Sequence, residues 1–179
     1  MTTFQIIEAK PHHCGQMMRI MRNEHQAALA RIGTNGHKEL RESFDGSCMR
    51  RAWLIDGQLA GLGGVMGPSM ASSGHIWLAM SGASMKYPCE IVREARRQLD
   101  EIMMVKRTLV TTILEGDKTS MRFAVFMGFH AAYEWSDVPA LSRDGRKNLV
   151  KRLNRDADTR MPICNGYAIV MQYSPYEAA

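Results

Sequence analysis

The sequence lacks the features that mark several protein classes. No apolar run approaches the roughly 20 residues that span a bilayer, so we expect no membrane-spanning helix. The first residues contain no basic segment followed by an apolar one, which predicts the absence of a secretory signal. Cys14, Cys48, Cys89 and Cys164 lie far apart, without a CxxC pair. We therefore expect free, mostly buried thiols in a reducing cytoplasm.

The charge and length are ordinary. A formal net charge of +5 permits an acidic partner, such as a nucleic acid, a virion component or a phosphorylated cofactor, without requiring one. The 179 residues predict one domain, 1–179, and the oligomeric state stays open. His12 and His13 are adjacent, but no partner follows at ligand spacing. We predict surface histidines there and no metal site.

The first third of the chain predicts a strand, two helices and a hairpin. Residues 4–8 form an alternating strand-like run, and apolar spacing predicts helices over 14–30 and 37–44. Asp56-Gly57 stands between two apolar runs, which is a strong signal for a tight hairpin turn. The glycines that follow do not complete a nucleotide-binding pattern, and they lie within the hairpin strand.

A strand–helix–strand unit occupies the centre of the sequence. Two mainly apolar runs, 76–80 and 109–115, indicate buried strands. Between them, residues from Pro88 to about Val105 carry the clearest amphipathic helical pattern in the chain. The two strands are therefore predicted to be parallel neighbours joined by a crossover helix. A short helix over 118–127, a strand over 129–135 and a final strand over 166–173 are predicted to follow.

Residues 136–163 form a basic insertion before the last predicted strand. Its basic residues are interrupted by aspartates, and no aromatic residue between Arg143 and Arg160 offers a stacking surface. A solvated helix face and a surface that contacts phosphate or a virion are both compatible with this pattern. We expect nucleic-acid binding that is at most weak and sensitive to salt.

The order of these elements resembles the GNAT fold, that of the Gcn5-related N-acetyltransferases. Family members place an Asn after the fifth strand and a Gly-Phe shortly afterwards. Here Asp117 stands at the Asn position, and Gly128-Phe129 follow at the matching spacing. The resemblance implies an α/β, GNAT-like acyl-CoA N-acyltransferase fold, with a mixed twisted sheet flanked by helices on both faces.

A narrower resemblance concerns the small GNAT-like proteins of T7-like tailed phages. It is carried by Ile76-Trp77, by the segment 93–97, by the run 115–123 that ends in Arg122-Phe123, and by Gly128. This resemblance implies a phage protein in the cytoplasm of the host cell or in the virion. Its partners would then be a virion or host protein.

The GNAT resemblance also implies where acetyl-CoA would bind. The pyrophosphate would lie at the N-terminus of the long helix, where unpaired amides favour an anion. The loop before this helix lacks the glycine-containing signature of the family and has large side chains instead, while Asp117 adds a negative charge. The implied cofactor-binding residues are Met80, Gly82, Ala83, Ser84, Met85, Lys86, Tyr87 and Asp117.

The implied catalytic site is degenerate. Ala124 stands where the family commonly has the Tyr that protonates the leaving thiolate. Tyr133 on the next strand and Glu115 at a strand end are the remaining candidates for acid and base. The resemblance implies an acetyl-CoA-dependent N-acyltransferase of little activity that acts on an amine of a protein or a small molecule. The lost loop signature and the missing Tyr favour a decayed phage protein over a fully active enzyme. The alternatives are a non-catalytic virion, assembly or host-interaction protein, and a nucleic-acid-binding module.

Overall fold

A computed structural model describes residues 2–31, 35–114, 116–131, 160–163 and 166–173. The helices are α1 (His12–Ile20), α2 (Asn23–Arg31), α3 (Gly36–Asp45), α4 (Pro88–Met103) and α5 (Lys118–Phe126), and a short 3-10 helix (Gly82–Lys86) precedes α4. The strands are β1 (Phe4–Glu8), β2 (Ser47–Ile55), β3 (Gln58–Met66), β4 (Ser73–Met80), β5 (Thr108–Leu114), β6 (His130–Ala131), β7 (Arg160–Ile163) and β8 (Gly166–Tyr173).

The described strands form one mixed sheet in the order β1-β2-β3-β4-β5-β8-β6, with β7 also paired to β8. Strands β1 to β4 are antiparallel neighbours, and β5 is antiparallel to β8. Strands β4 and β5 are parallel and are connected by α4, so the predicted crossover unit is confirmed. The described parts of the sheet contain no other parallel pair.

The parallel pair is short, and the two strands then separate. Pairing runs from Ser73 opposite Thr108 to His75 opposite Val110. Beyond these residues β4 pairs with β3 as far as Met80, while β5 pairs with β8 as far as Leu114. The sheet therefore opens into a cleft between the carboxyl ends of β4 and β5.

Each face of the sheet is covered by a different set of helices. Ala52 and Trp53 are consecutive on β2 and therefore point to opposite faces. Ala52 belongs to the core that α1 and α3 form with the sheet, and Trp53 belongs to the core formed with α4 and α5. The cleft thus opens toward a helical layer on either side.

The hairpin between β2 and β3 turns at the predicted dipeptide. Asp56 and Gly57 have φ values of 49° and 76°, which is the left-handed conformation that this tight turn requires. The carboxylate of Asp56 also accepts a 2.7 Å hydrogen bond from the backbone N–H of Thr3, which fixes the start of β1 against the turn.

The prediction of one helix over residues 14–30 is wrong, because the chain leaves helical geometry at Met21. Met21 forms an isolated antiparallel bridge with Ser81. The N–H of Arg22 donates to the carbonyl of Met80 at 3.1 Å. These long-range bonds to the end of β4 replace helical ones, and the apolar pattern of the segment gives no sign of them. The break places Arg22 at the mouth of the cleft.

Other predictions need smaller corrections. Cys14 is buried as expected, but Cys48 and Cys89 are exposed; Cys164 lies outside the described residues. His13 was predicted at the surface but is buried, and its Nδ1 accepts a 2.9 Å hydrogen bond from the backbone of Lys10. A buried ring at this place satisfies a backbone donor next to α1.

Most of the basic insertion lies outside the described residues. The exception is its end, Arg160–Ile163, which forms β7 and pairs with β8. The predicted strand over 129–135 is described only to residue 131, of which His130 and Ala131 form β6. Among the described helices, none combines the length and apolar character needed to cross a bilayer.

Candidate functional site

A cavity of about 480 Å³ follows the cleft between β4 and β5. On one side it is lined by residues of the α1–α3 layer, including Leu29 and Leu40. On the other side it is lined by Ile91 and Ala95 of α4 and by Phe123 of α5. The cavity therefore passes through the sheet where the two strands separate, and its two ends face different helical layers.

The closed end of the cleft is marked by a hydrogen bond between the two strands. His75 Nε2 lies 3.1 Å from the hydroxyl Oγ1 of Thr112, and both residues line the cavity. His75 is half-buried in the central strand β4. Burial lowers the pKa of its imidazole, which favours the neutral ring.

The open end is spanned by a buried ion pair. Arg22 Nη2 lies 3.4 Å from Asp117 Oδ2 and donates to Ser120 Oγ at 2.9 Å. Arg22 is bonded to the end of β4, whereas Asp117 follows β5. The pair thus connects the two strands at the point where they are no longer hydrogen-bonded to each other.

Asp117 is also the N-cap residue of α5, and both of its carboxylate oxygens accept hydrogen bonds from Ser120 in the first turn of that helix. Its Oδ1 accepts from the Ser120 N–H at 3.0 Å, and its Oδ2 accepts from the Ser120 hydroxyl at 2.8 Å. The side chain lies at the wall of the cavity. The negative charge that Asp117 adds to the site is balanced by the buried guanidinium of Arg22.

Several buried polar side-chain atoms without hydrogen-bond partners among the described residues lie near the open end of the cleft, where Arg22 contacts Asp117. In the described part of the chain, three buried side-chain polar atoms have no hydrogen-bond partner: Arg22 Nε, His25 Nδ1 and Ser81 Oγ. Ser81 is bridged to the residue before Arg22, and His25 follows Arg22 by one helical turn. Buried polar groups are normally paired, so this local deficit is consistent with a site for a polar ligand or an ordered water.

The predicted cofactor loop has a compact conformation. Residues Gly82–Lys86 form a 3-10 helix, in which the buried Ser84 hydroxyl donates to the Ser81 carbonyl at 2.7 Å. Tyr87 then precedes α4 and packs against the core. The backbone N–H groups of Ser84 and Tyr87 donate to carbonyls within this turn, so fewer N–H groups remain to bind a phosphate than in an open loop.

The loop nevertheless leaves some groups accessible. Gly82 and Ala83 are exposed, and no atom lies within 4 Å of a Cβ built on Gly82. Lys86 is exposed, while Met80 and Met85 line the cavity. Pro88 opens α4, and the first amides of a helix have no acceptor within it. Lys86 and the first amides of α4 are therefore available for an anion at the mouth of the cleft.

The two predicted catalytic residues, Glu115 and Tyr133, lie outside the described residues. Ala124 is buried in α5 and lines the cavity, so the position where the family commonly has an acid faces the cleft. The sequence reasoning missed Arg22 and His25. Little in the sequence indicated either residue, because both lie within the segment 14–30 that was predicted to be one continuous helix.

The described part of the chain contains no cluster of side chains that could bind a metal ion. No three His, Cys, Asp or Glu residues among the described positions are close enough together to hold an ion.

Comparisons with known proteins identify the fold. No family model matches the chain, and no curated protein matches it in sequence. Among solved structures, it is similar to a spermidine N-acetyltransferase from Vibrio cholerae in complex with CoA and spermine, with 9% identity, 97% of this chain and 96% of that chain covered, and a TM-score of 0.59.

Two further structures give the same result. The Mycobacterium smegmatis RimJ in complex with CoA-disulfide matches at 11% identity, with 98% of this chain and 83% of that chain covered and a TM-score of 0.60. The aminoglycoside acetyltransferase AAC(6')-Ib in complex with coenzyme A matches at 10% identity, 97% and 96% coverage and a TM-score of 0.59. This chain therefore has the GNAT acyl-CoA N-acyltransferase fold.

Proposed function

We propose that this protein transfers an acyl group, such as acetyl, from an acyl-CoA to an amine. The observation that carries the proposal is the cavity that crosses the sheet between β4 and β5. Such a passage lets two reactants approach from opposite faces and meet in the gap. The similar structures with bound CoA support an acyl-CoA as one of the two reactants.

The lining of the cavity suits the flexible arm of CoA. On the α4–α5 side the walls are largely apolar, and among the described residues no strand pairs with β4 beyond His75 on the β5 side. Unpaired strand-edge N–H and C=O groups can bond the amides of an extended pantetheine arm. The pyrophosphate is proposed to lie against residues 82–87, near Lys86 and the first turn of α4.

The amine is proposed to enter from the α1–α3 side. That part of the cavity is lined by Trp77 and Leu29 and by the polar side chains of Arg22, His25 and Glu39. The carboxylate of Glu39 offers a counter-charge for an ammonium group at a distance from the reacting nitrogen. Polyamines and aminosugars, the classes named for two of the similar enzymes, are the first acceptors to test.

Turnover is proposed to be slow. The loop before α4 contains Met85, Lys86 and Tyr87 in place of a glycine-rich turn, and its 3-10 helix consumes amides. Ala124 provides no acid for the leaving thiolate. Within this proposal, kinship with the small GNAT-like proteins of T7-like phages and a location in the host cytoplasm or virion stay predictions from the sequence.

The test is a calorimetric titration with acetyl-CoA, followed by a thiol-release assay with a polyamine, an aminosugar and a peptide N-terminus. We expect saturable binding in the micromolar range, equivalent to about −8 kcal/mol at 1 μM. Leu114→Trp, which adds a large side chain to the cavity wall, should weaken it at least tenfold. Ile7→Trp on the outer strand β1 is the control, because Ile7 is exposed and does not line the cavity.

Two results would contradict the proposal. One is the absence of saturable binding at ~1 mM acetyl-CoA, a concentration that detects even affinities of about −4 kcal/mol. The other is binding that Leu114→Trp leaves unchanged, because the ligand would then lie elsewhere. Turnover that is lost in Tyr133→Phe would instead identify Tyr133 as the acid.

A further inference from the structure

We propose that His25 is the general base that accepts the proton of the attacking amine. This inference rests on the proposed acyltransferase function and assigns a catalytic group to it. His25 lies on α2, on the side of the cavity from which the amine is proposed to enter.

The geometry singles out this histidine. His25 lines the cavity, and its Nδ1 is buried without a hydrogen-bond partner among the described residues. By contrast, His75 also lines the cavity, but its Nε2 is engaged with Thr112 at the closed end. A buried imidazole nitrogen without a partner among the described residues is unusual, because buried polar groups are normally hydrogen-bonded.

The electrostatic surroundings favour the neutral imidazole, which is the form that can accept a proton. Burial is the main cause and lowers the pKa of His25. The carboxylate of Asp117 raises this pKa and the guanidinium of Arg22 lowers it, so the two charges of the ion pair oppose each other. Among the described residues, Arg22 from the α1–α2 junction and Asp117 from the β5–α5 turn are the charged groups that act on this ring.

The residues next to His25 in the chain are held by hydrogen bonds. Arg22, three residues earlier, is fixed by Met80 at the end of β4 and by Ser120 of α5. Gln26, the next residue, donates to the carbonyl of Met21 at 3.1 Å. The start of α2 is therefore held to the end of β4 and to α5, and these contacts position His25 at the cavity.

The nitrogen of the neutral amine forms a bond to the thioester carbonyl carbon, and the C–S bond breaks with its electron pair going to sulfur. The proton released by the nitrogen passes to the imidazole of His25. The imidazolium then returns this proton to the CoA thiolate or to solvent, and the products are an amide and CoA. No oxidant or metal is needed.

The test compares His25→Gln with the wild-type chain and with His12→Gln, in which an exposed histidine outside the cavity is changed. We expect His25→Gln to lower kcat about 100-fold or more, the low end of the range for a general base. The affinity for acetyl-CoA, measured by calorimetry, should stay within about twofold. In the wild type, kcat/KM should fall at low pH as His25 becomes protonated, and this acid limb should vanish in the variant.

A second variant keeps the test independent of folding. In His25→Ala, added imidazole should restore part of the lost activity, and a purely structural role would give no such rescue. Wild-type-like turnover by His25→Gln, an unchanged acid limb or a loss confined to acetyl-CoA affinity would overturn the role of His25 alone. If the wild type neither binds acetyl-CoA nor releases thiol, the proposed function fails, and this inference fails with it.

Discussion

The guanidinium of Arg22 lies 3.4 Å from the carboxylate of Asp117, although the two residues are 95 positions apart in the chain. Both are buried, and Ser120 bonds to both of them. This contact connects the end of β4 to the turn after β5 across an opening where the strands share no backbone hydrogen bonds. It sets the width of the cleft at its mouth and compensates the charge of Asp117.

Removing one partner of this pair should destabilise the protein strongly. In Asp117→Asn the buried guanidinium of Arg22 loses its counter-charge, and loss of one partner of a buried pair typically costs about 3–5 kcal/mol. We expect a decrease of about 3 kcal/mol in the free energy of unfolding, measured with urea. Arg22→Met should have a similar effect, and the double variant should be less destabilised than the sum of the two.

An exposed pair on the same side of the fold is the control. Lys38 Nζ and Glu42 Oε1 lie 3.7 Å apart on α3, and both side chains are more than half exposed. Lys38→Met should change the free energy of unfolding by at most about 0.5 kcal/mol. Equal effects of Lys38→Met and Asp117→Asn would show that the cleft ion pair contributes little to stability.

Stability should also fall when the pH is lowered, because three histidines are held neutral in the fold. Burial is the main cause that lowers the pKa of His13, His25 and His75. The unfolded chain then binds more protons than the folded one below the ordinary histidine pKa of about 6.5. The associated stability is fully present above that pH and is lost as the pH falls toward the lowered values.

This dependence can be measured by urea unfolding between pH 7.5 and 5. Each histidine contributes a slope of at most about 1.4 kcal/mol per pH unit. His75→Gln should reduce the slope below pH 6.5, because it removes one of the three rings whose pKa is lowered by burial. A stability that is flat from pH 7.5 to 5 would contradict the assignment of neutral, buried rings.

Local sequence patterns predicted those parts of the fold that depend on neighbouring residues. Asp56-Gly57 predicted the hairpin because positive φ at two adjacent residues is a local requirement. The apolar stripe of α4 predicted the crossover helix, since its period follows from the face that it buries. Arg22 was missed because its bonds to Met80 and Asp117 are long-range, and no local pattern encodes them.

The resemblance singled out Asp117 and Ala124, and both residues line the cavity. The 3-10 helix before α4 was not predicted, although the bond between the buried Ser84 hydroxyl and the Ser81 carbonyl spans only three residues. In the sequence His25 is one polar residue of an amphipathic helix. That its Nδ1 is buried without a partner among the described residues depends on tertiary packing, which the sequence does not show.

The proposed phosphate position predicts a role for Lys86 in binding. Its ammonium is exposed beside the first turn of α4, so Lys86→Ala should weaken acetyl-CoA binding about fivefold, which corresponds to ~1 kcal/mol for an exposed charge pair. The loss should shrink at high salt because exposed charges are screened. Lys118→Ala on α5 is the control, since Lys118 is exposed and does not line the cavity. Equal losses in the two variants would argue against a phosphate site at residues 82–87.

Restoring an acid at position 124 should raise turnover. Ala124 lines the cavity from α5, where a longer side chain could reach the leaving thiolate. A positioned general acid contributes about 10²–10⁴-fold to rate, but a newly introduced phenol is not preorganised, so we expect an increase of at least about tenfold in kcat for Ala124→Tyr.

Ala124→Phe is the matched control because it adds the same ring without the hydroxyl. Ala124 is buried, so both variants overfill the site and should lose about 1–3 kcal/mol of stability. They should also weaken acetyl-CoA binding to the same degree, whereas only the Tyr variant should gain turnover, with a rate that falls at high pH as the phenol ionises. Equal rates for the Tyr and Phe variants would mean that protonation of the thiolate does not limit this enzyme. The slow step would then be amine deprotonation or the chemistry before it, which is where His25 is proposed to act.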